Sequence, residues 1–380
     1  MEKAVKLLSR GLFAAIAAAA LVVGYFYIVL PCEISVDGAA QPTGGFAEAS
    51  IRVNGENCGY YVGSIRIKNV DTVQRERLWL VPCGEPFGIR LHTDGVLVIS
   101  VTGGSPAENC GLKQGDIIKY VNGISVMSNS AICSALQMKP SCSELIIERG
   151  DRELRLECVP RCEDGVYKIG AWVRDSAAGI GTMTFYDPQS GAFGGLGHPV
   201  SDVTTGGAVP LFRGDITEAE IFDVIKGEQG SAGELCGALH AETVTGELTA
   251  NTAVGVFGVS SSALSERQAI PMAFRQEAQC GAATILTTID GSKPREYDIE
   301  IERINMYDIT GSKAMVVRIT DEELLEASGG IVRGMSGSPI IQNGKLIGAV
   351  THVLINDPTR GYAVFCESML DAMQENSAAA

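Results

Sequence analysis

The segment Gly334-Met335-Ser336-Gly337-Ser338-Pro339 has the composition that an activated hydroxyl requires. A serine oxygen attacks a carbonyl only if a base takes its proton and backbone donors hold the oxyanion that forms, so it belongs in a tight loop with freed backbone on either side. Gly334 and Gly337 supply that freedom around Ser336, and Pro339 stiffens the exit into Ile340-Ile341. Ser338 is the nearest rival nucleophile. The base must come from four histidines. His198 follows Gly195-Leu196-Gly197 and precedes Pro199, a loop setting that presents a side chain into a cleft. His352, in Val350-Thr351-His352-Val353, is the second candidate; it and His240, in Ala238-Leu239-His240-Ala241, sit in apolar strand-like runs where a satisfied core histidine is the commoner outcome. His92 lies in an earlier module and reads as a surface or groove residue. This chemistry is acyl transfer by a serine hydrolase.

Such a site needs rigid elements and a compartment. A chain of 380 residues can bury two or three separate cores. Its 46% hydrophobic content and 45 glycines fit a folded, turn-rich protein of many short strands. A net charge of -15 repels a phosphate backbone, so nucleic acid is not an expected partner. Lys3, Lys6 and Arg10 precede an uncharged run over 11–30. At about 1.5 Å per residue, roughly 20 residues span a bilayer core of about 30 Å. That is longer than the apolar region of a cleaved secretory signal, and Tyr25 and Tyr27 sit where interfacial aromatics belong. Residues 1–31 are therefore predicted to be a transmembrane anchor, with a cleaved signal as the alternative; the basic flank stays cytoplasmic and the remainder is exported. Pro31 argues against reading Val29-Leu30-Pro31-Cys32 as a lipoprotein cleavage site. The eleven cysteines leave at least one unpaired and show neither a C-x-x-C spacing nor a neighbouring histidine, so no metal or other cofactor is expected. Several read as small buried hydrophobes, and Cys158 could pair with Cys162.

Residues 32–84 form a β-rich connector by composition. Beyond them Phe87-Gly88-Ile89-Arg90-Leu91 and Gly95 to Val101 have strand character, Ser105-Pro106 opens a short helix, Ile117 to Val121 runs into Asn122-Gly123 as a hairpin, and Ser128 to Met138 forms a second helix. The run Ser105-Pro106-Ala107, Gly111-Leu112, Gly115-Asp116 and Val121-Asn122-Gly123 resembles the PDZ domains of bacterial envelope proteases, so 85–160 is expected to be an α+β PDZ domain. The resemblance implies that Pro86, Phe87, Gly88 and Ile89 form a loop whose amides receive a peptide beside an edge strand.

From 166 to 375 the sequence turns to glycine-rich hairpins around Asp187-Pro188-Gln189-Ser190-Gly191, with strands expected at 253–259, 282–289, 296–303, 313–319, 345–354 and 361–366. A mainly β protein is expected, its last domain a β-barrel or sandwich, with two barrels as the arrangement its length suits. The loop around Ser336 resembles the G-D-S-G-G-P segment of chymotrypsin-like peptidases. That likeness implies an oxyanion hole made by the amides of Gly334 and Ser336.

The passages Gly181-Thr182-Met183-Thr184-Phe185-Tyr186-Asp187-Pro188, Leu196-Gly197-His198, Gly329 to Pro339 and Gly348-Ala349-Val350-Thr351-His352-Val353 together resemble the stage IV sporulation protein B family of endospore formers. The resemblance runs through anchor, PDZ module and peptidase domain. It implies a serine endopeptidase with His198 as general base, Ser336 as nucleophile and Asp321 orienting the imidazole. Asp321 is the weakest member of the set: it lies only 15 residues before Ser336 and beside a helix-start pattern where it could simply be an N-cap, with Asp202 and Asp357 as rivals. The family implies limited cleavage of a membrane-bound regulator of an intramembrane metalloprotease, in the space between forespore and mother cell, leading to late sigma-factor activation and accompanied by self-cleavage. The rival readings are a general envelope quality-control protease and a non-catalytic PDZ scaffold.

Overall fold

The structure is a computed structural model that describes residues 2–38, 44–46, 49–54, 57–150, 152–202, 206–260, 262–305, 308 and 311–377. Helix α1 (Glu2–Val29) contains Leu12–Val29, a stretch long and apolar enough to cross a membrane. A small antiparallel sheet follows, ordered Gly45–Phe46, Ala49–Asn54, Asn57–Val62 and Ile65–Asn69, and buries Ile51, Tyr60 and Ile67 with Leu30 and Ile34.

Two barrels follow, and the first begins earlier than its composition suggests. Strand β1 is one continuous run over Pro86–Val101. It is joined by β2 (Ala171–Tyr186), β3 (Ala192–Gly195), β4 (Arg213–Ile225), β5 (Glu234–Thr252) and β6 (Gly255–Val259). The ladders β1-β4-β5-β6-β3-β2 return to β1 and close the circuit. Phe87, Ile89, Met183, Phe193, Ile216 and Val256 fill its interior. The long strands β4 and β5 were not evident from composition, because Glu, Thr, Ala and Gly dominate β5 and acidic residues interrupt the apolar positions of β4. Register shifts between Ile216 and Glu218 and between Ile221 and Asp223 bend them around the barrel.

The second barrel is closed by β7 (Gly281–Thr287), β8 (Arg295–Ile304), β9 (Met315–Ile319), β10 (Pro339–Gln342), β11 (Lys345–Val353) and β12 (Arg360–Phe365), in the order β7-β8-β9-β12-β11-β10. Strand β8 shows why: Tyr297, Ile299 and Ile301 are buried while Glu296 and Asp298 face outward, a period of two. A shared core of Phe185, Phe257, Phe274, Leu346 and Val364 joins the barrels, each buried aromatic contributing about 2–3 kcal/mol by area.

The PDZ fold is an insertion into the first barrel. After the positive φ of Gly95, the distal half of β1 leaves the barrel and pairs with Ile117–Val121 and with Ala171–Arg174 at the start of β2. Helices α2 (Pro106–Asn109), capped by Ser105, and α3 (Asn129–Met138), capped by Ser128, pack Ala107, Ile132 and Leu136 on Val98, Ile118 and Leu145. This corrects the expected boundaries: residues 86–92 belong to the peptidase barrel, and the module returns to that barrel only through β2. It also corrects the ligand loop. Pro86, Phe87, Gly88 and Ile89 lie in β1 with partners on both sides, Gly88 standing opposite Ile180 and Thr217. A Cβ at Gly88 would meet Thr217 Oγ1 at 2.3 Å, so the glycine admits a neighbouring strand and not a peptide. The groove beside α3 is instead bordered by Ile169, Ala171, Trp172 and Val173, with a volume of about 280 Å³. Every cysteine is unpaired; Cys158 is buried while Cys162 is exposed, so the Cys158–Cys162 pairing that the sequence allows does not form.

Candidate active site

Helix α4 (Glu322–Ser328) ends at Gly329 in the left-handed conformation, and the chain then enters the Ser336 loop. Met335 is buried in the second barrel and anchors the loop from within. From the first barrel, Leu235 N–H donates to the Arg333 carbonyl (2.8 Å) and Thr182 N–H to the Ser336 carbonyl (3.0 Å). Two hydroxyls on one face of β2 add to this, Thr182 Oγ1 donating to Gly334 O and Thr184 Oγ1 to Gly337 O, each at 2.7 Å. Gly337, at φ +99°, lies so close to β2 that a Cβ would stand 1.9 Å from the Thr182 carbonyl. The rival Ser338 is fully buried and donates to Met335 O at 2.7 Å, which removes it from any substrate.

His198 comes from the other wall. The Gly197 N–H donates back to Gly195 O (2.8 Å) around Leu196, a non-glycine at φ +65°. That tight positive-φ turn is strained and persists because Leu196 is buried in the first barrel and Gly197 is packed on Thr351. His198 Nδ1 lies 2.8 Å from the Pro199 carbonyl. A carbonyl can only accept, so Nδ1 carries the proton and Nε2 keeps the lone pair that a base needs. Burial lowers the His198 pKa, with the Pro199 carbonyl opposing, and so keeps the ring neutral.

His198, Ser336, Gly334, Arg333 and Ile180 share the wall of one pocket of about 280 Å³ between the barrels. Ser336 is half-buried and its hydroxyl donates to the Thr351 carbonyl at 2.6 Å. Among the described residues, the amides of Gly334 and Ser336 donate to no protein acceptor. His352 stacks on His198, ring centroids 4.8 Å apart, and burial together with His198 and Lys313 lowers its pKa to about 4.

Asp321 is not brought to this pocket. Its Oδ1 accepts from Leu324 N–H at 2.9 Å and its Oδ2 from Asp298 N–H at 3.4 Å, which makes it the N-cap of α4. Asp202 is buried and paired with Arg174, and Asp357 binds Thr359 and Arg360. His240 is exposed on β5 and does not line this pocket, and His92 lies mid-strand in β1. Sequence reasoning missed Thr182 and Thr184, whose alternate spacing along a strand shows that they share a face but not what that face meets.

A family profile described as SpoIVB peptidase S55 matches residues 165–370, and a PDZ domain profile matches 97–149. Serine protease HTRA1 of Xenopus tropicalis is 34% identical over 70 residues, and that of Xenopus laevis 33% over 70 residues. These matches cover 18% of this chain and 15% of the relatives, so the chain spans only a small part of the curated relatives it matches. Among solved structures, the PDZ domain of an SdrC-like protein from Listeria monocytogenes is 24% identical over 21% of this chain and 87% of that chain, with a TM-score of 0.20. The active form of Rv3671c protease from M. tuberculosis is 14% identical over 52% and 74%, with a TM-score of 0.31. The HtrA-type protease AlgW with decapeptide is 10% identical over 78% and 65%, with a TM-score of 0.32.

Proposed function

From the premise that this chain belongs to the SpoIVB peptidase S55 family and is a serine endopeptidase carrying a PDZ domain, we propose that it performs a limited signalling cleavage during sporulation. The substrate in this reading is a membrane-bound regulator of an intramembrane protease. The compartment is the space between forespore and mother cell, reached by export behind α1, and the protein also cleaves itself. The observation that carries the reading is the single pocket shared by His198 and Ser336.

In the proposed reaction Ser336 rotates about its Cα–Cβ bond, exchanging the Thr351 carbonyl for His198 Nε2, which takes its proton as Oγ attacks the peptide carbonyl. The unengaged amides of Gly334 and Ser336 receive the oxyanion, a donor of this kind being worth about 10²–10³ in rate. The Nδ1–H bond to Pro199 holds the imidazolium until its proton passes to the leaving amine. Asp321 acts on Ser336 by position: it caps the helix that leads through Gly329 and Gly330 into the loop. The substrate's extended segment is held in the groove between α3 and Ala171–Val173, where Ala171–Arg174 carries a ladder on one edge only among the described residues.

The test is incubation of the purified protein lacking α1, with and without Ser336→Ala. Fragments that disappear in the variant support the reading; identical fragments in both proteins remove it. A general quality-control protease would degrade unfolded casein broadly, whereas a dedicated signalling enzyme leaves it intact.

A further inference from the structure

In the described residues no carboxylate bonds to His198. Asp321 caps α4, Asp202 pairs with Arg174, and Asp357 lies with Thr359 and Arg360. What lies against the ring is a second imidazole. The His352 and His198 centroids are 4.8 Å apart and the planes differ by 35°, within the range of offset aromatic contact. His352 Nδ1 is shielded from solvent and has no partner, so hydrogen bonding at that atom does not explain its placement. The preceding residue, Thr351, accepts the Ser336 hydroxyl through its carbonyl and places its methyl where a Cβ on Gly197 would be 2.8 Å away. Thr351-His352 therefore touches both the loop of the nucleophile and the turn of the base. The charged groups near the pair are Lys313, beside His352, and Arg333, on the pocket wall.

We propose that His352 is a positioning residue for the reaction: stacked on His198, it fixes the plane of the imidazole, a task that serine peptidases ordinarily give to a carboxylate. The proposal rests on His198 and Ser336 being base and nucleophile. His352 itself takes no proton; the Ser336 proton passes to His198 Nε2 and then to the leaving group. Its flat face against the ring limits rotation and also shields His198 from water, which keeps the imidazole neutral near neutral pH.

The experiment uses the full chain and a fluorogenic peptide whose sequence is taken from the junction mapped by mass spectrometry in the fragments that Ser336→Ala abolishes, with His352→Phe, His352→Leu and His352→Ala compared to wild type. Phe keeps a flat face without nitrogens, Leu keeps volume without a flat face, and Ala removes both. Phe is expected to hold kcat within about threefold, whereas Leu and Ala lose about 30–100-fold with KM unchanged, the scale of a misoriented general base. The acid limb of the kcat/KM profile should move toward the ordinary imidazole range in Ala and stay in place in Phe. Wild-type rates in Ala, a Phe variant as slow as Ala, or a Leu variant equal to Phe would each overturn the proposal. His198→Ala is measured alongside. If it is active, the site reading itself fails; if it is inactive, an adverse His352 result bears on this inference alone.

Discussion

The loop of Ser336 is tied by backbone and hydroxyl bonds from the first barrel and by a buried methionine in the second, whereas the turn of His198 is held by its own internal bond, a longer one from Leu196 N–H to the Thr182 carbonyl (3.3 Å), the buried Leu196 side chain and a stacked ring. The difference teaches where precision is spent. The nucleophile and its oxyanion donors are one rigid unit with few alternatives. The base sits on a strained turn whose orientation depends on its neighbours. Substitutions can break this contrast at either end.

The largest effect is expected from removing the reacting groups. Ser336→Ala and His198→Ala should each lower kcat by about 10⁴ or more, and the double variant should lose little beyond either single one, because the two act as a unit. Peptide hydrolysis measures this, and melting temperatures should stay near wild type. Multiplicative losses would mean that the two residues do not share one step.

Next comes the rigidity of the nucleophile loop. Gly337→Ala should destabilise by about 2–4 kcal/mol, since its φ of +99° is costly for alanine and its Cβ would stand 1.9 Å from the Thr182 carbonyl. Gly344→Ala separates the two causes: φ is +73° there but the space is open, so a cost of about 1 kcal/mol is expected. Denaturant midpoints give the comparison, and equal costs would show that the close approach to β2 is not tight.

The base side should respond more to pH. Both stacked histidines have folded-state pKa values below that of a free imidazole, His352 near 4, chiefly through burial. The unfolded chain therefore takes up protons first as pH falls below about 6.5, and stability falls with it until the folded His352 titrates near 4. A thermal melt series from pH 7 to 4.5 should show this decline, and His352→Phe should flatten it. The same lowering keeps His198 a free base below the ordinary imidazole range, so kcat/KM should hold up in mildly acidic buffer.

Much of this arrangement was legible. The second barrel's strands show through their alternation, as at Tyr297, Ile299 and Ile301, and PDZ elements show through the caps Ser105 and Ser128. Ser336 and His198 stood out because glycine and proline punctuate their loops. The Phe87-Gly88-Ile89 segment misled for a physical reason: an apolar-glycine-apolar triplet states that something approaches closely, but not what. At Gly88 it is β4; the same pattern at Ile169-Gly170-Ala171 borders the groove that is open. Strand β5 was hidden because Glu, Thr, Ala and Gly fill most of it, and β4 because the register shifts after Ile216 and Ile221 interrupt its alternation. The threonines of β2 were invisible as ligands of the Ser336 loop, since a hydroxyl's partner across more than a hundred residues leaves no local mark.

Asp321 offers the smallest and sharpest test, because two accounts of it predict different variants to matter. As the N-cap of α4 it accepts from Leu324 N–H, a bond that asparagine can replace and alanine cannot. Asp321→Ala should therefore cost about 1 kcal/mol, seen as a lower denaturant midpoint, and should loosen the Ser336 loop through Gly329 and Gly330. Asp321→Asn should stay within about 0.5 kcal/mol of wild type, because the cap geometry survives without the charge. If asparagine were as damaging to stability as alanine, the negative charge at the helix start, and not the hydrogen bond, would be what holds α4 in place. Comparing the peptidase activity of the two variants then shows how much of Asp321's effect on Ser336 travels through the helix, since a carboxylate acting on the imidazole would be lost equally in both.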